Sequence, residues 1–553
     1  MVQKHSPALA SYSQISCIGT GLSAIALGAT LKRWYGMDDI HFFERYPDCG
    51  GTWFISSYPG CACDVPSALY SFSFALSDRW TKLMPSNKEI KSYTDGVVDA
   101  YGLRDKMTFL TEVQSCVWRE EASRWLMKLR SVITGNVTYH ECHILFAATG
   151  QLAEPKPCDI PGAKSFNGAL FHSARWDHSV DLKGKNVVVI GNGCTAAQIV
   201  PAIVDSTKTL TQIIRSKNWV FQAPNFTYPK VLQWVFHYIP LAMRLHRLHL
   251  FLIAENDFRL FRMTKAAAKL RRKCQQHVEK YMQETAPANY HDILIPDFDV
   301  GCKRRIFDDG YLKSLHNEKL HLTQTKITEI LPDGVRTTDG FYPAQVIVLA
   351  TGFQTNIFLQ HTEIHGCEGT LTDHWNRYDG PGAYNCSVMS GFPNFFLLLG
   401  PNTATGHTSA LMAAENSVNY ALRVLKPVLD GKVSSINLKQ EAEDEYVYQV
   451  QETLRHRVWN AGCASWYVNK KGWNAMTYPW SQAHYWYRSL FPTRSDWTLK
   501  PIQRPTSPKI GRTMVLALII VLAAAIATHL QGPQFWSTAL AKLSQMMGFD
   551  DGF

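Results

Sequence analysis

Apolar and polar positions along the chain repeat one pattern twice. Gln14 to Ile18 is a short apolar run of the kind a buried parallel strand requires, and it enters Gly19-Thr-Gly21-Leu-Ser-Ala24. Ile25 to Trp34 then has helical spacing, and Ile40 to Phe43 is a second strand-like run ending in Glu44. The pattern returns at Asn186 to Ile190, which enters Gly191-Asn192-Gly193-Cys194-Thr195-Ala196, and Leu210 to Ile214 ends in Arg215-Ser216. Strand, glycine turn, helix, strand and terminal charge is the order of a dinucleotide-binding unit. Two more apolar runs, Ile144 to Ala148 and Val346 to Ala350, each close in Ala-Thr-Gly and mark crossings between domains. Tyr228 to Glu284 has mainly helical spacing and carries Arg244, Arg247, Arg271, Arg272 and Lys273.

The glycine turns specify their ligands. Gly19 permits the tight turn, Gly21 lets the backbone approach a pyrophosphate, and Ala24 keeps the helix close to the sheet. An acid at the end of the second strand hydrogen-bonds free ribose hydroxyls, so Glu44 assigns the first unit to the adenosine part of FAD. An Arg at the matching point accommodates a 2′-phosphate, so Arg215 assigns the second unit to NADPH.

Composition narrows the alternatives. A chain of 553 residues with 46% hydrophobic and 18% charged residues supports two or three ordinary domains. The net charge of +10 is spread through a Trp- and Tyr-rich chain rather than gathered in a tract, so nucleic acid is not an expected partner. The 13 cysteines are scattered without C-x-x-C, which disfavours a disulfide framework or a metal site and favours a reducing compartment. It also argues against a disulfide reductase of similar architecture. The N-terminus lacks the apolar core of a secretory signal. Near the other end, Thr513 to Leu530 is uncharged and mostly aliphatic, after a Pro-rich spacer with Arg504, Lys509 and Arg512. Its length suggests a single transmembrane helix, with the catalytic body cytosolic at the endoplasmic reticulum. The alternative for this stretch is a buried or interfacial helix.

Between the two turns lies Phe166-x-Gly168-x-x-x-His172-x-x-x-Trp176-Asp177, five constrained positions at fixed spacing. With both turns, this stretch resembles the fingerprint of class B flavin monooxygenases, nearest to the Baeyer-Villiger branch and its fungal members, over roughly residues 12 to 490. The resemblance implies that Thr52, Trp53, Asp64, Val65 and Tyr70 line FAD with Gly19, Gly21, Ala24 and Glu44. Ala62, Cys63 and Asp64 would face the nicotinamide cofactor with Gly191 to Ala196, Arg215, Ser216 and Lys303, although many relatives carry Arg where Ala62 stands. Arg304, in Lys303-Arg304-Arg305, matches the family's active-site arginine, with Asp64 orienting it. His172 is expected to be structural, and Trp176 to anchor the linker by packing. Gly400 to Ser409 resembles a segment returning to the flavin.

The expected architecture is α/β, with two Rossmann-like dinucleotide-binding domains for FAD and NADP, a helical insert and a C-terminal transmembrane helix. The boundaries are 12–160 and 346–500 for the FAD domain, 161–345 for the NADP domain with its insert at about 228–290, 501–512 for a linker, 513–530 for the span and 531–553 for a tail. The insert lies near the nicotinamide side or a membrane surface, or is a solvated helical face. The expected reaction uses dioxygen and NADPH to insert one oxygen beside the carbonyl of a lipophilic ketone through a C4a-peroxyflavin, giving an ester or lactone. A polyketide or terpenoid of secondary metabolism is the expected substrate class. Oxygenation of nitrogen or sulfur is the alternative, and a flavin scaffold without turnover a further one.

Overall fold

The computed structural model describes residues 11–502 apart from 356 and 464, together with 519–523 and 542. Residues 1–500 form one compact unit and 501–553 belong to a second. Within the first unit two sheets carry the two repeats. In the first sheet, Ser11–Ile18 lies between Ile40–Phe43 and Val137–Ala147, parallel to both, with Ile15 opposite Ile40 on one side and Ile144 on the other. Strands covered on both faces are mainly apolar, and Ile15, Cys17, Ile144, Leu145 and Phe146 are all fully buried, while the buried Ser13, Ser16 and His140 satisfy one another by hydrogen bonds. Val137–Ala147 is long enough to serve two neighbours along one edge. Its first half pairs antiparallel with Arg124–Ser131, while Leu145 to Ala147 pair parallel with Phe395–Leu397. That late strand returns the chain to the carboxyl edge of the sheet, where the helix Ala410–Val424 packs beside Leu22–Tyr35 and the Leu422 carbonyl accepts a bond from the Tyr35 hydroxyl.

The second sheet is wholly parallel, in the order Leu320–Thr323, Thr209–Ile213, Asn186–Ile190, Val346–Leu349, Ala169–His172. Val346–Leu349 lies inside this sheet, flanked on both sides. The chain therefore leaves the second lobe after Leu349, and the boundary expected at 345 and 346 moves accordingly. The residues Val346 to Ala350 have the same apolar, Ala-Thr-Gly-terminated pattern as Ile144 to Ala148, and only pairing assigns them to a sheet. The insert is helical over Lys230–Tyr238, Ala242–Asn256 and Lys265–Thr285. Its first two helices dock on the first lobe, where Tyr228, Phe236 and Met243 share a core with Trp53, Val65, Leu69 and Trp80, while the third packs Val278 and Met282 into the core of the second lobe.

Two further expectations are corrected. Among the described residues no helix is long and apolar enough to cross a membrane. Of 513–530, residues 519–523 are described, as helix, and the rest of that stretch lies outside the described residues. The strongest apolar run, Met514 to Ala527, is shorter than the roughly 20 residues a bilayer core requires. The transmembrane helix and the single-pass localisation built on it are therefore withdrawn. Second, Cys302 and Cys463 form a disulfide across 161 residues of sequence, where no bridge was expected. Local spacing carries no signal for a pair so far apart.

Trp125 is fully buried against Trp118 and Phe395 and donates its indole N–H to the Pro393 carbonyl. Trp125→Ala leaves a cavity and an unpaired carbonyl, so a loss of about 3–5 kcal/mol is expected, read as a lowered melting temperature by circular dichroism.

Candidate active site

Both glycine turns sit at the carboxyl ends of parallel strands, the edge at which open α/β sheets bind ligands. Gly19 has φ of 96°, and a Cβ there would lie 2.8 Å from the Ala148 carbonyl oxygen. Gly191 has φ of 139°, and a Cβ would lie 2.3 Å from that of Ala350. Each turn is thus pressed against the Ala-Thr-Gly that ends the neighbouring strand, which explains why both motifs occur twice. The helices that follow, Leu22–Tyr35 and Cys194–Ile203, begin at Gly21 and Gly193 with no side-chain cap and no acid in the first turn. By contrast, Ser86, Thr264, Ser409 and Ser481 cap other helices. Bare N-termini leave N–H groups and the positive end of the dipole for an anion. A Cβ on Gly193 would meet nothing within 4 Å, so the space above the second turn is open. These features fit pyrophosphate groups of two dinucleotides.

Glu44 is buried at the end of Ile40–Phe43. Its carboxylate accepts the Thr20 N–H and hydroxyl, both at 2.9 Å, and the Tyr46 N–H at 3.0 Å, which holds it beside the first turn. Thr52 is exposed at the start of a short helix after Gly50-Gly51. Trp53 is buried and donates its indole N–H to the Tyr70 hydroxyl at 3.0 Å. Val65 is buried beside them in the same core as Trp53. Burial raises the Tyr70 phenol well above its ordinary range, so it stays protonated.

The second turn is braced from below. The Gln212 amide donates to the Gly191 carbonyl and accepts from the Tyr311 hydroxyl, while Asn192 donates to the Ser216 carbonyl at 3.1 Å. Gln212 and Tyr311 had no signal in the sequence, because they act from inside the sheet and from another helix. Arg215 is exposed, and among the described residues no carboxylate pairs with its guanidinium. Lys303 rests over the Phe298 ring, and its pKa is lowered by burial and by the Arg215 charge, with Asp297 opposing. Two cations converging this way provide for an anion between them.

Arg304 and Asp64, 240 residues apart, meet in a bidentate pair. The Arg304 Nε donates to Oδ2 at 3.1 Å, and Nη2 to Oδ1 at 2.8 Å and Oδ2 at 2.7 Å. The Arg304 side chain keeps 38% of its surface and that of Asp64 22%, so the guanidinium is fixed yet reachable. The Asp64 charge raises the Arg304 pKa further, so the cation persists at every working pH. Tyr467, buried beside it, is pushed up to about 12 by burial against the opposing pull of Arg304. Cys194 is pushed up to about 11 by burial and is a neutral thiol. The Cys61 to Asp64 loop is held on the second lobe, for the Gln198 amide donates to the Ala62 carbonyl at 3.0 Å and the Tyr58 hydroxyl donates to Gln198 at 2.8 Å. Cys63 is buried, its N–H donating to the Pro85 carbonyl.

The linker residues lie outside this cluster. A Cβ on Gly168 would lie 2.3 Å from the Gln345 carbonyl oxygen and 2.7 Å from the Phe166 ring, so only glycine fits. His172 accepts the Ala174 N–H at Nδ1 and therefore donates from Nε2 to the Gly352 carbonyl, both at 3.1 Å. Burial lowers its pKa to about 4, leaving a neutral ring that ties the linker to the turn leaving the second sheet. Trp176 packs edge-on against Phe171, and Asp177 accepts from Ser179 in a local turn.

A two-lobed α/β protein with two pyrophosphate turns and a clamped arginine between them defines a two-dinucleotide flavoprotein oxidoreductase. Residues 13–243 match the FMO-like, flavin-binding monooxygenase-like family. A Baeyer-Villiger monooxygenase of Streptomyces coelicolor is 32% identical over 509 residues, covering 90% of this chain and 94% of that protein. The FAD-binding monooxygenase tazF of Aspergillus terreus is 30% identical over 492 residues, covering 85% and 86%. Closed cyclohexanone monooxygenase shares the fold with a TM-score of 0.78 at 22% identity, covering 89% of this chain and 100% of that one. OTEMO in complex with FAD and NADP gives 0.77 at 24% identity, covering 89% and 100%. The chain belongs to the flavin-binding monooxygenases, in their Baeyer-Villiger branch with its fungal FAD-binding members. It is an enzyme that uses FAD and NADPH.

Because His172 is neutral when folded, the unfolded chain binds the extra proton between pH 6.5 and about 4. Stability contributed by this site is full above that window and falls as pH drops through it, by about 3 kcal/mol. His172→Gln should flatten this part of the acid limb of a urea-melt series.

Proposed function

We propose that the enzyme inserts one oxygen atom beside the carbonyl of a lipophilic ketone, a polyketide or terpenoid intermediate of secondary metabolism, to give an ester or lactone. The observation that carries this reading is the Arg304–Asp64 clamp, a fixed cation that remains partly accessible between the two nucleotide turns. Bound FAD, reduced by NADPH, supplies activation of dioxygen. Arg304 donates to the ketone oxygen as negative charge builds there, and a preorganised donor of this kind costs no reorganisation at the moment of reaction. Asp64 takes two of its guanidinium nitrogens and thereby fixes the direction of the rest. The aromatic surroundings of the pair, Tyr467, Tyr70 and Trp53, favour an apolar substrate body. Thr52, Val65 and Glu44 hold FAD with the first turn. Arg215, Ser216 and Lys303 hold the 2′-phosphate of NADPH.

With a panel of cyclic and linear ketones, Arg304→Ala should lower ester formation by roughly 100- to 1000-fold while NADPH oxidation continues with release of hydrogen peroxide. Undiminished ester formation, or product only from sulfides and amines, would overturn the assignment. Arg215→Ala combined with Lys303→Ala should raise the KM for NADPH by about tenfold or more and leave that for NADH nearly unchanged, as steady-state kinetics with the two cofactors would reveal.

A further inference from the structure

The segment that ends the insert helix Ala242–Asn256 touches both lobes. Glu255 accepts from His407 Nε2 at 3.0 Å and from the N–H groups of Gln482 at 3.2 Å and Ala483 at 3.0 Å. Its carboxylate thus caps the helix Gln482–Leu490 and grips the loop that follows Phe395–Leu397 at the carboxyl edge of the first sheet. The His407 side chain is fully buried, between the rings of Phe258 and Phe261. Two residues further on, Asp257 accepts from Arg305 Nη1 at 2.7 Å. Arg305 adjoins Arg304, and Gly301 of the same loop packs on Phe261, with the ring 3.3 Å from where a Cβ would stand. The helix itself is fixed to the first lobe by Arg247, which donates to the carbonyls of Ala68 at 2.6 Å and Ser71 at 2.7 Å.

We propose that Glu255 and Asp257 are positioning residues: one carboxylate holds the flavin-side loop, the other holds the Lys303-Arg304-Arg305 loop, and the short segment between them sets the distance from Arg304 to the flavin side. The proposal rests on the reading of Arg304 given above. Neither carboxylate touches the guanidinium of Arg304 and neither transfers a proton. Their effect is geometric, and displacements of an ångström at a reacting centre are sufficient to cost large factors in rate.

The consequence is specific to coupling. NADPH binding depends chiefly on the second turn and on Arg215, which neither carboxylate contacts; Lys303 lies on the held loop but rests on the Phe298 ring and the Lys217 carbonyl rather than on the joint, whereas use of the activated oxygen depends on where Arg304 stands. FAD-loaded, full-length Asp257→Asn, Asp257→Glu and Glu255→Gln would be compared with the parent for NADPH consumption, ester formation and hydrogen peroxide release. Asp257→Asn is expected to keep its FAD and an NADPH KM within about twofold, while ester formed per NADPH falls by about fivefold or more and peroxide rises to match. Asp257→Glu, which retains the charge, should recover most of the lost coupling. Unchanged coupling in a loaded Asp257→Asn, beside an Arg304→Ala enzyme that has lost ester formation, removes the joint and leaves the Arg304 reading intact. Ester formation that survives Arg304→Ala removes both. Should Glu255→Gln shed FAD, Asp257→Asn decides alone. Parallel loss of FAD, NADPH oxidation and ester in both variants means a purely structural role and overturns the proposal.

Discussion

The pair between Arg304 and Asp64 is the contact on which the arrangement of this enzyme turns. Each lobe buries its own core and could satisfy its own strands without the other. What makes a single site of them is a carboxylate on a loop of the first lobe and a guanidinium on a loop of the second, meeting in a planar, doubly bonded geometry. Both side chains retain contact with solvent, so the net stabilisation from charge alone is modest, of the order of 1 kcal/mol for a partly exposed pair. Its value lies in direction. A bidentate pair restricts the orientation of the guanidinium plane as a single bond would not. Removing Asp64 would leave the cation in place and free its orientation.

Around that pair the structure supplies supports of different kinds. Gln198 and Tyr58 hold the Asp64 loop against the second lobe, and the disulfide between Cys302 and Cys463 fastens the loop before Arg304 to the segment before Tyr467. His172, neutral and bonded through both nitrogens, fastens the linker to the turn that leaves the second sheet. None of these groups needs to meet a substrate. Together they explain how an arginine on a loop can be held in one direction, since loops by themselves are the least ordered parts of a fold.

Much of the site was legible because its chemistry is local. A glycine turn must have its glycines within a few residues, and the acid or arginine that reads the ribose must stand at the end of the next strand. Glu44 and Arg215 stand at those places, so the expectation attached to each could be read in one dimension. Gly168 is only half local, since its missing side chain answers to the nearby Phe166 ring and to the carbonyl of the sequence-distant Gln345. Gln212, Tyr311, Glu255 and Asp257 were not legible. Each is an ordinary polar residue in an ordinary element, and its partner lies many residues away.

The sequence by itself determined two strand, glycine turn and helix units, their order, the opposite charges that end their second strands, the linker between them and the family to which the chain belongs. These follow from short-range steric and electrostatic demands that any chain must meet within a few residues. Only the tertiary structure decided that Val346–Leu349 belongs to the second sheet, that Cys302 meets Cys463, and that the insert helix ends in contact with both lobes. Apolar runs of equal length look alike until they are paired, and a contact between residues 161 or 240 positions apart leaves no local signature in either. The aliphatic stretch near the C-terminus shows the same limit from the other side: hydropathy reports what a segment avoids, and the described structure supplies no spanning helix to match it.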